Sequence, residues 1–387
     1  ITAGATSLGT DVHHVGIVPT PALAFLAANG SYAAGIMVSA SHNPAADNGL
    51  KVLDGHGLKL DDPIEDELEQ LIWRTEELAG VGNDDLGITI DARDRVAAYT
   101  EDRLRLAART DAAGIRIVVD AANGSGGAFA PGMLMATGAR VDVINAEPDG
   151  TNINLACGAT DPAALARAVV ELGADVGFAL DGDADRLIAV TAGGEMVDGD
   201  QLLGILAIER LTRDALAGRT LVVSVLSNGG LQRAVEAVGG TVVRTPVGDK
   251  YILEGMQVSG AGLGGEKSGH VIIAEHTTSG DGIVTALEVL RVMVASGRSL
   301  ADLATIVELM PQQQRAVRVR HKDQWEGDPI IQNALAEARL RLGTDGRIII
   351  RPSGTEPALR VMVEGPDAML VEELADTLAG VAAERLH

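Results

Sequence analysis

The amino-acid sequence predicts an α/β protein, and three observations carry that prediction. Short β-branched runs alternate along the chain with Ala/Leu-rich stretches of helical period, the pattern of strand–helix–strand units with parallel strands. Glycine is abundant, at 47 of 387 residues, which suits the tight loops such units need. Finally, IRIVVDAANGSGG (115–127) and RTLVVSVLSNGG (219–230) are alike, each a strand running into a small-residue loop built around Asn-Gly. The chain therefore reads as a repeated module.

The elements follow in order. GIMVSASHNP (35–44) is a strand, then small residues, then a proline that ends regular pairing, so its serines fall on an exposed turn. TDPAALARAVVELG (160–173) reads as a helix with Asp161 as N-cap, Pro162 at the first helical position and Gly173 as stop. Leu165, Ala168, Val169 and Leu172 form its apolar face. ADVGFAL (174–180) is a buried strand leading into DGDADR (181–186). A helix is expected over DGDQLLGILAIERL (198–211) and another from about Gly280 through GIVTALEVLRVMV. Domain boundaries are expected near 98, near 195 and near 311, where Pro311 precedes a Gln run and an Arg-rich tail. The expected domains are thus 1–98, 99–195, 196–311 and 312–387.

Composition excludes several functions. With 46% hydrophobic and 22% charged residues, the chain reads as globular with a sizeable core. Apolar runs are broken by charge or glycine well short of a bilayer crossing, and no basic-then-apolar leader is seen. A single thiol, Cys157, permits no intrachain disulfide, so the cytoplasm is the expected compartment. A formal charge of −23 repels nucleic acid and anionic lipid. An anionic substrate would need a locally positive pocket. Only five of the 31 Lys and Arg residues are lysines, which we read as genome composition or salt adaptation.

Four stretches carry chemistry. Asp181, Asp183 and Asp185 follow a strand at spacing two and project to one side in extended chain, a set of hard oxygen ligands that suits calcium, magnesium or manganese rather than zinc, with magnesium favoured. An EF-hand would need Gly and Glu where Arg186 and Ala192 stand. A dehalogenase-like phosphatase, with Asp181 as nucleophile and Asp183 as acid, lacks the usual following residue and leaves the serine turn unexplained. GGEKSGH (264–270) is no nucleotide loop, because Glu266 would oppose a phosphate; its Glu266, Lys267, Ser268 and His270 could grip a polyol. RIIIRPSGTEPALR (347–360) is a strand and tight loop whose Arg351, Ser353, Gly354, Thr355 and Arg360 supply donors for a phosphate dianion. SASHNPAADNGLK (39–51) offers Ser41, with His42 beside it and Lys51 able to return to the same pocket. A serine hydroxyl needs a base, a metal or a stored group to act.

Together, SASHNPAADNGLK, DGDADR, GGEKSGH and RPSGTEP, in this order, resemble the four signature loops of the α-D-phosphohexomutase family. The resemblance covers essentially the whole chain. GIVPTPAL (16–23), NAEPDGTNIN (145–154), VGDKYILE (247–254) and TTSGDGI (277–283) look most like the bacterial branch that interconverts glucosamine 6-phosphate and glucosamine 1-phosphate. Lys267 departs from that branch, which carries Gln there, so branches acting on mannose or glucose phosphates remain alternatives.

The resemblance implies three related mixed α/β domains plus a smaller C-terminal α+β domain around a central cleft. It implies Ser41 as phosphoserine and one magnesium ion held by Ser41, Asp181, Asp183 and Asp185. His42 and Lys51 become candidates for proton transfer and charge stabilisation, and Arg186 neutralises the phosphate. Asp249, Lys250, Glu266 and Ser268 bind substrate, with His270 near the reacting hydroxyl. Arg351, Ser353, Gly354, Thr355 and Arg360 anchor the phosphate that is not transferring. It also implies glucosamine 1,6-bisphosphate as intermediate and activator, and a homodimer. Family members open with a Phe-Gly-Thr-Asp/Ser-Gly-Ile/Val-Arg-Gly segment, whose Arg helps bind the reacting phosphate. That segment does not precede Ile1 here, so the first domain is expected to be incomplete, and a catalytically impaired sugar-phosphate-binding protein is a further alternative.

Overall fold

The computed structural model describes residues 1–74, 78, 80–353 and 356–387. The chain divides into two compact units, Ile1–Val225 with Val235–Ile306, and Leu226–Ala234 with Val307–His387.

In the first unit, the opening segment contains α1 (Thr2–Ser7), β1 (Val12–His14), α2 (Thr20–Asn29), β2 (Ala34–Val38), β3 (Leu50–Asp54), α3 (Asp62–Ile72) and β4 (Thr89–Asp91). Its strands pair as two small sheets, β1 parallel to β4 and β2 antiparallel to β3. The antiparallel pair brings Lys51 opposite Met37, so the lysine returns toward the serine turn that follows β2.

The next segment runs α4 (Val96–Ala107), β5 (Arg116–Asp120), α5 (Ala130–Met135), β6 (Arg140–Ile144), α6 (Ala163–Leu172), β7 (Val176–Leu180), β8 (Leu187–Thr191) and β9 (Met196–Val197). Its sheet has the order β6-β5-β7-β8-β9, parallel through β7 and antiparallel after it. Every residue of β7 and β8 is buried, as expected for strands covered on both faces. Val118, Leu165, Val169, Ala179, Ile188 and Val190 form the core between sheet and α6. The α6 cap departs from the sequence reading: Pro162 takes the N-cap position and Ala163 starts the helix. The Asp161 carboxylate reaches only the Ala163 N–H, at 3.4 Å. Gly173 ends the helix in the left-handed region at φ 60°, as the sequence suggests.

The third segment runs α7 (Gly199–Thr212), β10 (Thr220–Ser224), α8 (Gly229–Ala237, of which the residues up to Ala234 belong to the second unit), β11 (Thr241–Thr245), α9 (Asp249–Ser259), β12 (Leu263–Gly265), β13 (Val271–Ile273), α10 (Gly282–Ser296) and α11 (Leu300–Ala304). Its sheet order is β11-β10-β12-β13, with β10 parallel to both neighbours and β12 antiparallel to β13. This repeats β6-β5-β7-β8 in order and direction. β5 and β10, the two strands whose sequences looked alike, hold the same place in each sheet.

The second unit contains β14 (Gln312–Arg318), α12 (Pro329–Leu342), β15 (Arg347–Pro352), β16 (Ala358–Glu364) and α13 (Ala368–Arg385). β16 is central in an antiparallel sheet of order β14-β16-β15. α12 and α13 cover it through Leu335, Leu342, Val361, Val363, Val371 and Leu374. The 226–234 stretch joins this unit because the Asn228 side chain exchanges two hydrogen bonds with the Met310 backbone, at 2.9 Å each. The fold is mixed α/β with an α+β C-terminal part. Among the described residues, no helix is long and apolar enough to cross a membrane.

Candidate active site

The serine turn is built to present one hydroxyl. Ser41 has φ 54°, an unusual conformation for a residue with a Cβ, of the kind that clusters at functional sites. Its N–H donates to the Ser39 hydroxyl at 2.9 Å, so Ser39 shapes the turn while Ser41 is displayed. The Asn154 side-chain amide donates to the Ser41 and Asn43 carbonyls at 2.8 and 2.9 Å. The Ser41 hydroxyl then donates to Asp181 Oδ2 at 2.8 Å.

Asp181, Asp183 and Asp185 end β7 in a tight turn, with relative exposures of 0, 2 and 4%. Their ligand atoms lie within 4.8 Å of one another. Lys51 donates to Asp183 Oδ2 at 2.6 Å and to Asp185 Oδ2 at 2.8 Å. Thr20 donates to Asp183 Oδ2 at 2.5 Å. Asp183 Oδ1 and Asp185 Oδ1 are buried without a hydrogen-bond partner. Buried carboxylate oxygens left without donors are costly unless a cation meets them, and an all-oxygen set fits a hard divalent cation.

The charges sort themselves by surroundings. Burial, with Asp185 and Asp183 close by, pushes Asp181 well above the usual carboxylate range. Burial would raise Asp185 too, but His270, Lys51 and Arg186 outweigh it and hold that carboxyl well below the range. Desolvation works against the Lys51 ammonium, yet Asp185 and Asp183 raise its pKa above that of an ordinary lysine. Lys51 is thus a fixed cation, ion-paired with Asp183 and Asp185. His42 keeps much of its surface in solvent; partial desolvation, reinforced by Arg186, lowers its pKa. The Arg186 N–H donates to Asp181 Oδ1 at 3.1 Å, and its Nε is buried without a hydrogen-bond partner.

The GGEKSGH loop joins the same site. His270 bridges backbone to Arg186, and Gly269 makes the approach possible. Gly269 sits at φ +90°, and a Cβ there would lie 2.1 Å from the Leu187 carbonyl. The Gly280 N–H donates to His270 Nε2 at 3.1 Å, and Nδ1 stands 3.8 Å from Asp185 Oδ1. Burial opposes a charged imidazole, but Asp185 and Asp249 outweigh it and raise the His270 pKa. Glu266 accepts from the Gly248 N–H at 3.1 Å, tying this loop to VGDKYILE. Ser268 Oγ is buried without a hydrogen-bond partner. Lys267 extends toward Asp198, 3.9 Å away. Asp249 is held by Lys59, and Lys250 is engaged by Asp62 and Glu65 of α3.

Ser41, Lys51, Asp181, Asp183, Asp185, Arg186, Asp249, Glu266 and His270 are thereby linked within the first unit. In the second unit, Arg351 and Arg360 stand directly opposite on β15 and β16. Like charges in that register repel, and the Glu356 carboxylate, 3.0 Å from Arg360, supplies one anion beside them. Ser353 is buried, and its carbonyl accepts from Lys322 at 2.5 Å. Gly354 and Thr355 lie outside the described residues. The sequence reading missed Thr20, Asn154, Gly280, Lys59 and Lys322. Thr20 and Asn154 lay inside stretches already singled out, but nothing local assigns them a contact.

Family signatures of phosphoglucomutase/phosphomannomutase match four regions: alpha/beta/alpha domain I over residues 1–79, domain II over 93–194, domain III over 198–310, and the C-terminal domain over 316–381. Among curated proteins, the phosphoglucosamine mutase of Moorella thermoacetica is 46% identical over 382 residues, 98% of this chain and 85% of that protein. That of Thermobifida fusca is 44% identical over 387 residues, 100% and 85%. Among solved structures, a phosphoglucomutase/phosphomannomutase family protein from Burkholderia thailandensis superposes with a TM-score of 0.81 at 25% identity, covering 99% of this chain and 85% of that one. The N-acetylphosphoglucosamine mutase of Aspergillus fumigatus, solved with GlcNAc-6P and magnesium, shares the fold with a TM-score of 0.72 at 20% identity, covering 94% and 92%.

Proposed function

The chain belongs to the phosphoglucomutase/phosphomannomutase family, and from that premise we propose that it is a phosphoglucosamine mutase that interconverts glucosamine 6-phosphate and glucosamine 1-phosphate through a phosphoserine. The contact that carries this reading is the Ser41 hydroxyl on Asp181 Oδ2 at 2.8 Å, which sets a phosphate carrier against three buried carboxylates. The same contact counts against Asp181 as a nucleophile, since its Oδ2 is covered by the Ser41 hydroxyl.

In the proposed cycle, phospho-Ser41 meets the C1 hydroxyl of glucosamine 6-phosphate. The P–Oγ bond breaks and a P–O1 bond forms, while the hydroxyl proton passes through the neutral His42 ring to the departing Oγ. Glucosamine 1,6-bisphosphate reorients, the P–O6 bond breaks, and the phosphate returns to Oγ with the proton moving the opposite way. Transfer of this kind depends on positioning and on neutralising the equatorial oxygens. Lys51 and Arg186 supply fixed charge. A magnesium ion held by Ser41, Asp181, Asp183 and Asp185 would add Lewis-acid charge at the phosphoryl oxygens. Asp249, Lys250, Glu266, Ser268 and His270 would hold the sugar, and Arg351, Ser353, Gly354, Thr355 and Arg360 of the second unit would bind a phosphate dianion. Division into the four stated domains, a homodimer, the bisphosphate as activator and a cytoplasmic setting belong to the same proposal.

The test is Ser41→Ala in a coupled assay with magnesium and a trace of bisphosphate. Turnover should vanish while glucosamine 6-phosphate still binds, and retained turnover would refute the mechanism.

A further inference from the structure

We infer that Lys59 is a positioning residue of the substrate site, which holds Asp249 and cancels its charge so that the pocket can accept a sugar-phosphate dianion. The inference deepens the mutase reading and rests on it for the identity of the substrate.

Lys59 stands on a built support. The Asp54 carboxylate accepts from the His56 and Leu58 N–H groups at 2.8 and 2.9 Å, closing a turn that brings Lys59 back to bridge Leu53. Gly57, at the tip, sits at φ +73°, and its carbonyl accepts from Thr278 at 3.1 Å. The turn is thus pinned to the loop that also carries Gly280, the donor to His270. From this base the Lys59 ammonium meets both oxygens of Asp249, at 2.8 and 2.7 Å.

Asp249 needs that partner. It lies 4.0 Å from His270 Nε2 and shares the pocket with Asp185 and Glu266, all acids that would repel a phosphate. Two neighbouring lysines already carry ion pairs of their own: Lys51 with Asp183 and Asp185, and Lys250 with Asp62 and Glu65. Lys59 and Lys250 therefore form a reciprocal exchange, each segment giving a cation to the acid of the other.

Lysine usage points the same way. Only five of 31 basic residues are lysine, so arginine is this chain's default cation. Four of the five contact the proposed site or its loops: Lys51 on the acidic trio, Lys250 in VGDKYILE, Lys267 in the sugar loop, and Lys322 on the Ser353 carbonyl. Lys59 is the fifth.

The experiment is a double-mutant cycle of Lys59→Met with Asp249→Asn in the full chain. It is read by calorimetric binding of glucosamine 6-phosphate and by kcat and KM. Lys59→Met alone should weaken binding and raise KM by about tenfold, with kcat changed less than about threefold. In the Asp249→Asn background the same change should weaken binding by less than about twofold. Equal weakening in both backgrounds, or a fall in kcat at unchanged KM, would overturn the inference. Absence of turnover in the unaltered protein would sink the mutase reading instead, while the binding cycle would still decide the Lys59–Asp249 coupling. Failure of the unaltered protein to bind glucosamine 6-phosphate would overturn both.

Discussion

Replacing Arg103 by Met should destabilise the first unit by about 3–5 kcal/mol, the usual consequence of removing one partner from a buried ion pair. Arg103 and Asp281 both have 0% side-chain exposure, with Nε 3.1 Å from Asp281 Oδ2. A second nitrogen of Arg103 is 2.5 Å from Asp102, and the guanidinium lies 4.7 Å from the Tyr99 ring centre. Methionine replaces the aliphatic stem but leaves the Asp281 carboxylate with only the Tyr99 hydroxyl and the first N–H groups of α10. The charge, rather than lost packing, should dominate. Adding Asp281→Asn removes the stranded charge and keeps a side chain able to cap α10, so the double variant should recover about 2 kcal/mol or more. Urea unfolding followed by circular dichroism reads both values. A loss below about 1 kcal/mol for Arg103→Met, or a double variant no more stable than the single one, would refute this account of the pair.

Other expectations follow from the same contacts. Lys51→Met strands Asp183 and Asp185, so stability measured with chelator should fall by about 2–4 kcal/mol, and magnesium should restore more of it than it adds to the unaltered protein; equal magnesium gains would contradict a shared site. Asn154→Ala releases the Ser41 and Asn43 carbonyls and should lower kcat by about 10- to 100-fold, with thermal stability nearly unchanged; full activity would show that the turn holds itself. Burial would raise the Glu288 carboxyl, but His276, Arg210 and Arg291 outweigh it and bring it down to about 2. A depressed folded-state pKa adds stability above the unfolded value, lost as pH falls from about 4.5 toward 2, here on the order of 3 kcal/mol. Urea midpoints of the unaltered protein and Glu288→Gln should therefore converge over that acid range, and a constant difference would exclude the linkage.

What could be read in the sequence was what lies close together along it. Asp181, Asp183 and Asp185 are two apart, and the Ser41 turn carries its own proline and glycine punctuation, so the convergence of the three carboxylates and the exposure of the turn were legible in the sequence. The strand repeat was visible too, because β5 and β10 enter their loops with similar residues. Thr20 on Asp183 spans 163 positions, and Asn154 on the Ser41 carbonyl spans 113; no local pattern announces such contacts. The α6 cap went wrong by one step because Asp and Pro both favour helix starts, and the helix begins after the proline. Lys250 stood out as a substrate-binding candidate, but its two acidic partners on α3 lie 185 or more positions away and no local pattern announces them.

The central claim is that Ser41 carries the phosphate that moves. Protein phosphorylated with a labelled phosphate, mapped to its peptide and then mixed with unlabelled glucosamine 6-phosphate, tests it most directly. The label should start on Ser41 and pass to the sugar phosphates within a few turnovers. Label that stays on Ser41 through turnover, or that maps to Asp181, would contradict it.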